Sequence, residues 1–190
     1  MGLPVEKEQY TFGDLLSWEG NERYELIDGE PYLMAPPSRL HQKVSVAIAS
    51  QLYNFLEGKK CDVYPAPFGV RLFDTAGEKP EDADTYVEPD ISVVCDKDKL
   101  DEFGCHGAPD LVMEILSPSG LRRDSFEKLK LYQRAGVREY WIVSPENRTA
   151  QVFLLKDGML VPEAFYLAED IGKVHVLNGC FIELSKVFEE

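Results

Sequence analysis

The stretch from Ala108 to Lys130, "APDLVMEILSPSGLRRDSFEKLK", constrains the fold most, because it carries an acid through the middle of an apolar strand and then turns into a helix. Strand alternation puts Asp110, Val112, Glu114 and Leu116 on one face and Leu111, Met113 and Ile115 on the other. Glu114 therefore has apolar neighbours on both faces. Such a strand belongs inside a parallel or mixed sheet covered on both sides, where an uncompensated carboxylate is costly. Three things could compensate it: a cation from the protein, a bound metal ion, or a proton on the acid itself.

Past the Ser117-Pro118 break, the spacing predicts a helix from about Asp124 to Ala135 with Asp124, Lys128, Leu131, Tyr132 and Ala135 on one stripe. Glu127, Lys130 and Arg134 recur on a different, solvated face. Lys128, rather than Lys130, is thus the cation expected beside Glu114. A lysine that lays its stem along apolar surface and keeps its ammonium in water fits the same pattern.

At 190 residues, 44% hydrophobic and 11% aromatic, the chain suits a single globular domain spanning 1–190. No run approaches the roughly 18 apolar residues of a membrane span, and the first residues, "MGLPVEKEQY", lack a basic region followed by an apolar stretch. The expectation is a soluble cytoplasmic protein without a membrane partner. Cys61, Cys95, Cys105 and Cys180 are widely spaced with no CxxC, so they read as buried free thiols rather than a zinc site or a disulfide framework. A net charge of -14 excludes a general nucleic-acid coat, since any polyanion would need a local basic patch or bridging cations. Arg122 and Arg123, followed by Lys128 and Lys130, form the best such cluster, and read equally as a solvated helix start.

In chain order, Thr11 can cap a short helix in "FGDLLSWEG" that stops at Gly20, and "RYELI" and "PYLMA" flank an Asp28-Gly29 turn in a hairpin. Ser38 can cap a helix with Val44, Ile48, Leu52 and Phe55 on its apolar stripe, closing at Gly58, with His41 in its first turn. Two prolines mark "CDVYPAPFGVRLF" as an edge or bulged strand. Asp74 to Glu88 reads as an acid-rich mobile loop, "PDISVVC" as a strand, and "DKDKLDEFGCHGA" as a charged connection. After Gly136 stops the helix, "EYWIVSP", "TAQVFLLK", a turn at Asp157-Gly158 and further short strands complete the chain. This order predicts an α/β fold of the α+β mixed-sheet type, with few helices.

Asp90 opens a strand 24 positions before Glu114 in the next, so the two acids can converge at one end of a sheet. Two carboxylates with water oxygens suit Mg²⁺, a hard cation. Asp110, about 13 Å from Glu114 along the same strand, is too far to share a small ion and reads as a residue at the strand's start. A metal on Asp90 and Glu114, with Lys128 alongside, is a hydrolytic set matched to phosphodiester cleavage. Asp90 also reads as a turn acid after proline, and Glu114 with Lys128 as a structural ion pair.

"YELIDGE" at 24–30 with His41 downstream, "EPD" at 88–90, "PDLVMEILSPS" at 109–119 and "RDSFEKLKLYQRAGVREYWIVSP" at 123–145 resemble the Uma-type restriction endonuclease family, within the PD-(D/E)XK nuclease superfamily. The resemblance runs from about Tyr10 to the C-terminus. It implies a restriction-endonuclease-like core, a central mixed sheet flanked by helices, and Mg²⁺-dependent cleavage of DNA, with Mn²⁺ as a substitute ion. It also implies Asp90 and Glu114 as metal-binding catalytic acids and Lys128 as the catalytic lysine. That lysine is displaced from the superfamily position, which here is Leu116. Glu25 resembles the additional N-terminal metal acid and His41 the helix-start histidine expected to bind substrate; as residues alone they read equally as a hairpin acid and a helix-start residue. A homodimer is implied, since two copies about a twofold axis cut both strands of a duplex. Two other functions fit the same residues: a catalytically inactive nuclease-fold protein-interaction module, and a hydrolase of small phosphodiesters.

Overall fold

The computed structural model describes residues 8–74, 77–117 and 127–189. Thr11 and Asp14 form a reciprocal capping box that starts α1 (Phe12–Ser17). The hairpin follows as β1 (Tyr24–Ile27) and β2 (Glu30–Leu33), paired antiparallel. Asp28 at φ 51° and Gly29 at φ 79° both take the positive φ that a two-residue hairpin turn demands. The Ser38 side chain accepts from the His41 N–H and starts α2 (Arg39–Leu56), whose Val44, Ile48, Leu52 and Leu56 are buried at a four-residue spacing.

The proline-interrupted segment divides into β3 (Asp62–Pro65) and β4 (Val70–Arg71), which belong to different sheets. The expected acid-rich loop is more structured than its composition implies. It holds a 3-10 turn at Pro80–Asp82 and β5 (Tyr86–Val87), with Ala83, Thr85 and Val87 buried. Its few apolar residues are the ones the sheet uses. Next come β6 (Ile91–Val94), then β7 (Leu100–Asp101) and β8 (Gly104–His106), two short strands inside what reads as a charged connection. The central strand is β9 (Leu111–Ile115), with all five residues buried. Within the described residues α3 spans Lys128–Ala135 and ends at Gly136, whose φ of 86° makes the left-handed cap. The predicted start at Asp124, and the Arg122-Arg123 cluster, lie outside the described residues. The remaining elements are β10 (Glu139–Ser144), β11 (Thr149–Lys156), β12 (Met159–Leu167), β13 (Ile171–Val174), β14 (Cys180–Glu183) and α4 (Leu184–Val187).

Two six-stranded sheets result, in the orders β2-β1-β5-β4-β8-β7 and β12-β11-β10-β9-β6-β3, with β13 and β14 as a separate ribbon. In the second sheet β9 and β10 run parallel and the other neighbours antiparallel, which makes it the mixed sheet the sequence predicts. Its two faces bury two cores. Leu111, Met113 and Ile115 pack with Trp141, Val143 and the stripe of α2. Val112 packs with Tyr140, Ile142 and with Leu131 and Tyr132 of α3. The alternation read from the sequence is therefore the division between the cores.

One expectation is overturned. Cys61 and Cys95 form a disulfide, and only Cys105 and Cys180 are the buried free thiols anticipated. The pairing Asp62↔Val94 between β3 and β6, continued by one residue, sets the two cysteines opposite each other, a neighbourhood that a separation of 34 residues conceals. Burial raises the thiol pKa values of Cys105 and Cys180 to about 11. No described helix is long and apolar enough to cross a membrane.

Candidate functional site

The chain passes from the first sheet to the second through Glu88 and Pro89, between the end of β5 and the start of β6, and the candidate site lies at this junction. Asp90 is the next residue. The β6–β9 ladder ends at the pair Ile91↔Met113, so Asp90 and Glu114 are the next residue beyond it on each strand. The Ile115 N–H donates to Asp90 Oδ2 at 2.7 Å, which fixes one carboxylate oxygen against β9. His41 Nε2 lies 3.2 Å from Asp90 Oδ1, so the first turn of α2 engages the other.

Glu114 is 4% exposed and Lys128 3%. The Lys128 ammonium donates to Glu114 Oε1 at 2.8 Å and to Glu25 Oε1 at 2.9 Å, bridging two buried carboxylates. This is the cation expected from the helical stripe. Glu25, fully buried in β1, also accepts the Glu88 N–H at 3.1 Å. The Tyr132 hydroxyl, one turn beyond Lys128 on α3, donates to Glu114 Oε1 at 2.5 Å. Burial first, and the neighbouring Glu114 carboxylate second, push the Tyr132 pKa well above its ordinary value of 10.

All five predicted site residues are thus drawn into two linked groups: Asp90 with His41, and Glu114 with Lys128 and Glu25. Two participants escape a reading of the sequence. Tyr132 sits on the same inward stripe as Lys128, so the signal is present and only its role is missing. The Glu88 backbone N–H carries no sequence signal. Asp110 is structural, as predicted: it accepts the Cys95 N–H at 2.8 Å and pairs with Arg138 at 2.8 Å.

The donor set bears on a metal. Asp90 and Glu114 are hard oxygen donors at the adjoining ends of β6 and β9, the donor type taken by an ion such as Mg²⁺, which binds one or two carboxylates and keeps several waters. Among the described residues no group of three or more His, Cys, Asp and Glu has the spacing of a closed metal site. Glu25 faces the Lys128 ammonium. The fit is therefore to an open, two-carboxylate seat whose remaining positions are left to water and to substrate oxygens.

Comparison with known proteins places the fold and the family. A crystal structure described as a "putative nuclease belonging to DUF820", from Anabaena variabilis, superposes with a TM-score of 0.72 at 17% identity, covering 94% of this chain and 97% of that one. It shows that the fold is shared. An uncharacterized protein of Synechocystis sp., slr1290, is 30% identical over 167 residues, which cover 87% of this chain and 77% of that protein. The model of the Uma2 family, described as "putative restriction endonuclease", matches residues 12–184, and so spans the hairpin with Glu25, the helix with His41, both acid-bearing strands and α3. The chain belongs to the Uma2 family.

Proposed function

We propose that the protein is an endonuclease that hydrolyses DNA phosphodiester bonds, with Mg²⁺, or Mn²⁺ in its place, held by Asp90 and Glu114. The observation that carries this reading is the placing of Asp90 and Glu114 at the adjoining ends of β6 and β9, with a buried ammonium on Glu114, in a chain of this family. When bound, the ion polarises a phosphoryl oxygen and makes a water acidic enough to attack.

The chain's own residues supply the rest. The Ile115 N–H and His41 hold the Asp90 carboxylate in one orientation, and His41 stands where a substrate phosphate next to Asp90 would meet it. Lys128, desolvated between β1 and β9, offsets negative charge as it builds on the phosphoryl oxygens, where a buried cation acts more strongly than one in water. Glu25 anchors that ammonium, and Tyr132 keeps Glu114 turned toward it. Glu25, bonded to the same ammonium as Glu114, is the reserve acid for the ion. A twofold homodimer would set two such sites against the two strands of a duplex.

Plasmid nicking tests the reading. Wild type should nick supercoiled DNA with Mg²⁺ or Mn²⁺ and not in EDTA, and Asp90→Asn and Glu114→Gln should each lose about 100-fold or more while keeping the wild-type circular dichroism spectrum. A second reading draws on the engagement of both Glu25 and Glu114 by Lys128, which would suit a buried ion-pair network in a non-catalytic interaction module. Folded wild type that cuts neither plasmid, oligonucleotide nor a model phosphodiester with either ion would establish that module instead.

A further inference from the structure

One side of α2 faces the edge strand β3 across a groove of about 430 Å³, with Gln42, Ser45, Tyr53 and Asn54 on the helix and Val63 and Pro65 on the strand. The groove begins at the candidate site. Gln42 follows His41 directly, and the Ala66 N–H at the same end donates to the Asp90 carbonyl at 3.0 Å. From Gln42 to Asn54 the helix runs about 18 Å.

The charge of this region opposes that of the molecule. The whole chain carries -14, yet residues 39–62 contain Arg39, Lys43, Lys59 and Lys60 against Glu57 and Asp62, with Lys43 donating to the Glu189 carbonyl and Asp62 paired with Lys97. None of the described residues lining the groove is acidic. The lining is also chemically suited to a strand with its bases exposed. Tyr53, 65% exposed, offers an aromatic face for stacking, and the Gln42 and Asn54 amides offer donors and acceptors to base edges.

A second copy adding a strand to β3 is disfavoured. Pro65 and Pro67 have no N–H, the Ala66 N–H is already spent on Asp90, and β3 is only four residues long.

We propose that the α2–β3 groove carries the single nucleic-acid strand that leads away from the scissile phosphate, running along the helix from Gln42 to Asn54. Tyr53, Gln42 and Asn54 are its base-contacting residues, and the cations at its two ends draw in the backbone. The proposal rests on the endonuclease reading and says which substrate form that site takes.

The test is fluorescence anisotropy with a labelled 12-nucleotide single-stranded DNA in EDTA, run beside plasmid nicking with Mg²⁺ on the same preparations. Relative to wild type, Tyr53→Ala should bind about tenfold more weakly. Lys59→Glu/Lys60→Glu should bind more weakly still and with a shallower salt dependence. Lys156→Glu, on the exposed β11 surface, should bind as wild type does. Groove variants that bind and nick like wild type overturn the groove while leaving the nuclease intact. Wild type that neither binds nor nicks overturns both. Sedimentation that shows Tyr53→Ala turning a dimer into monomers, with oligonucleotide affinity unchanged, overturns the strand in favour of a second copy of the chain.

Discussion

Two buried glutamates on adjacent parallel strands are compensated in opposite ways. Glu139 opens β10 and is fully buried on the α2 side of the sheet, where Trp141 Nε1–H donates to Oε1 at 2.7 Å and the Val176 N–H to Oε2 at 2.7 Å. Two neutral donors saturate the carboxylate and tie the chain before β14 to the sheet. Glu114, near the end of β9, faces the α3 side; an ammonium and a phenol share its Oε1, and the ammonium also binds a second buried acid, Glu25. Burial of an acid therefore says little about its use. An acid saturated by rigid neutral donors is a fastening, whereas one balanced by a cation next to a second acid has a charge that a substrate or an ion can redistribute.

Removing the ammonium is the strongest way to break that contrast. Lys128→Met leaves Glu25 and Glu114 buried without their shared counter-charge, and about 3–5 kcal/mol of stability should go with it, read as a lowered urea midpoint. Adding Glu25→Gln to that variant should restore part of the loss. A Lys128→Met protein as stable as wild type would mean that the ammonium balances nothing. At Glu139 the expectation is the reverse in kind. Glu139→Gln turns an amide N–H toward the Trp141 or Val176 donor, costing about 1–3 kcal/mol, while nicking per folded molecule stays at the wild-type level. If Glu139→Gln instead loses nicking as Glu114→Gln does, the distinction between the two acids falls.

How much of this is legible in the sequence follows from range along the chain. Glu114 and Lys128 are 14 residues apart, and each obeys a local periodicity, of two in the strand and 3.6 in the helix, so their meeting follows from the residue pattern alone. Asp90 is legible as an acid opening a strand. Its place at the strand end adjoining that of Glu114 depends on the register of two antiparallel strands, and no local pattern sets that register. Glu25 and Lys128 are 103 residues apart. Their contact requires β1 to pair with β5, a two-residue strand hidden in a segment whose composition reads as loop. The Cys61–Cys95 disulfide is hidden for the same reason: it follows from the β3–β6 register and not from cysteine spacing. Periodicity places Tyr132 on the correct face, but a stripe assigns a side chain to a face and not to a partner.

That hydroxyl provides the finest test of the contrast, because its burden differs from that of any donor to Glu139. At neutral pH Tyr132→Phe removes a hydrogen bond to a carboxylate, worth about 1.5 kcal/mol. An unfolded tyrosine loses its proton near pH 10, while the folded hydroxyl, raised well above that, keeps it. Above pH 10 the native state therefore holds the extra proton, so stability falls as pH rises, by about 1.4 kcal/mol per unit until the folded hydroxyl also ionises. Phenylalanine escapes that loss. Urea midpoints measured from pH 8 to 11 should show wild type ahead at the start and the two proteins level near about pH 11. Tyr86, whose hydroxyl is also raised by burial, titrates in both and cancels. Two parallel curves would mean that the Tyr132 hydroxyl ionises as freely in the folded protein as in the unfolded one, and Glu114 would then lack the ionisable donor that Glu139 does not have.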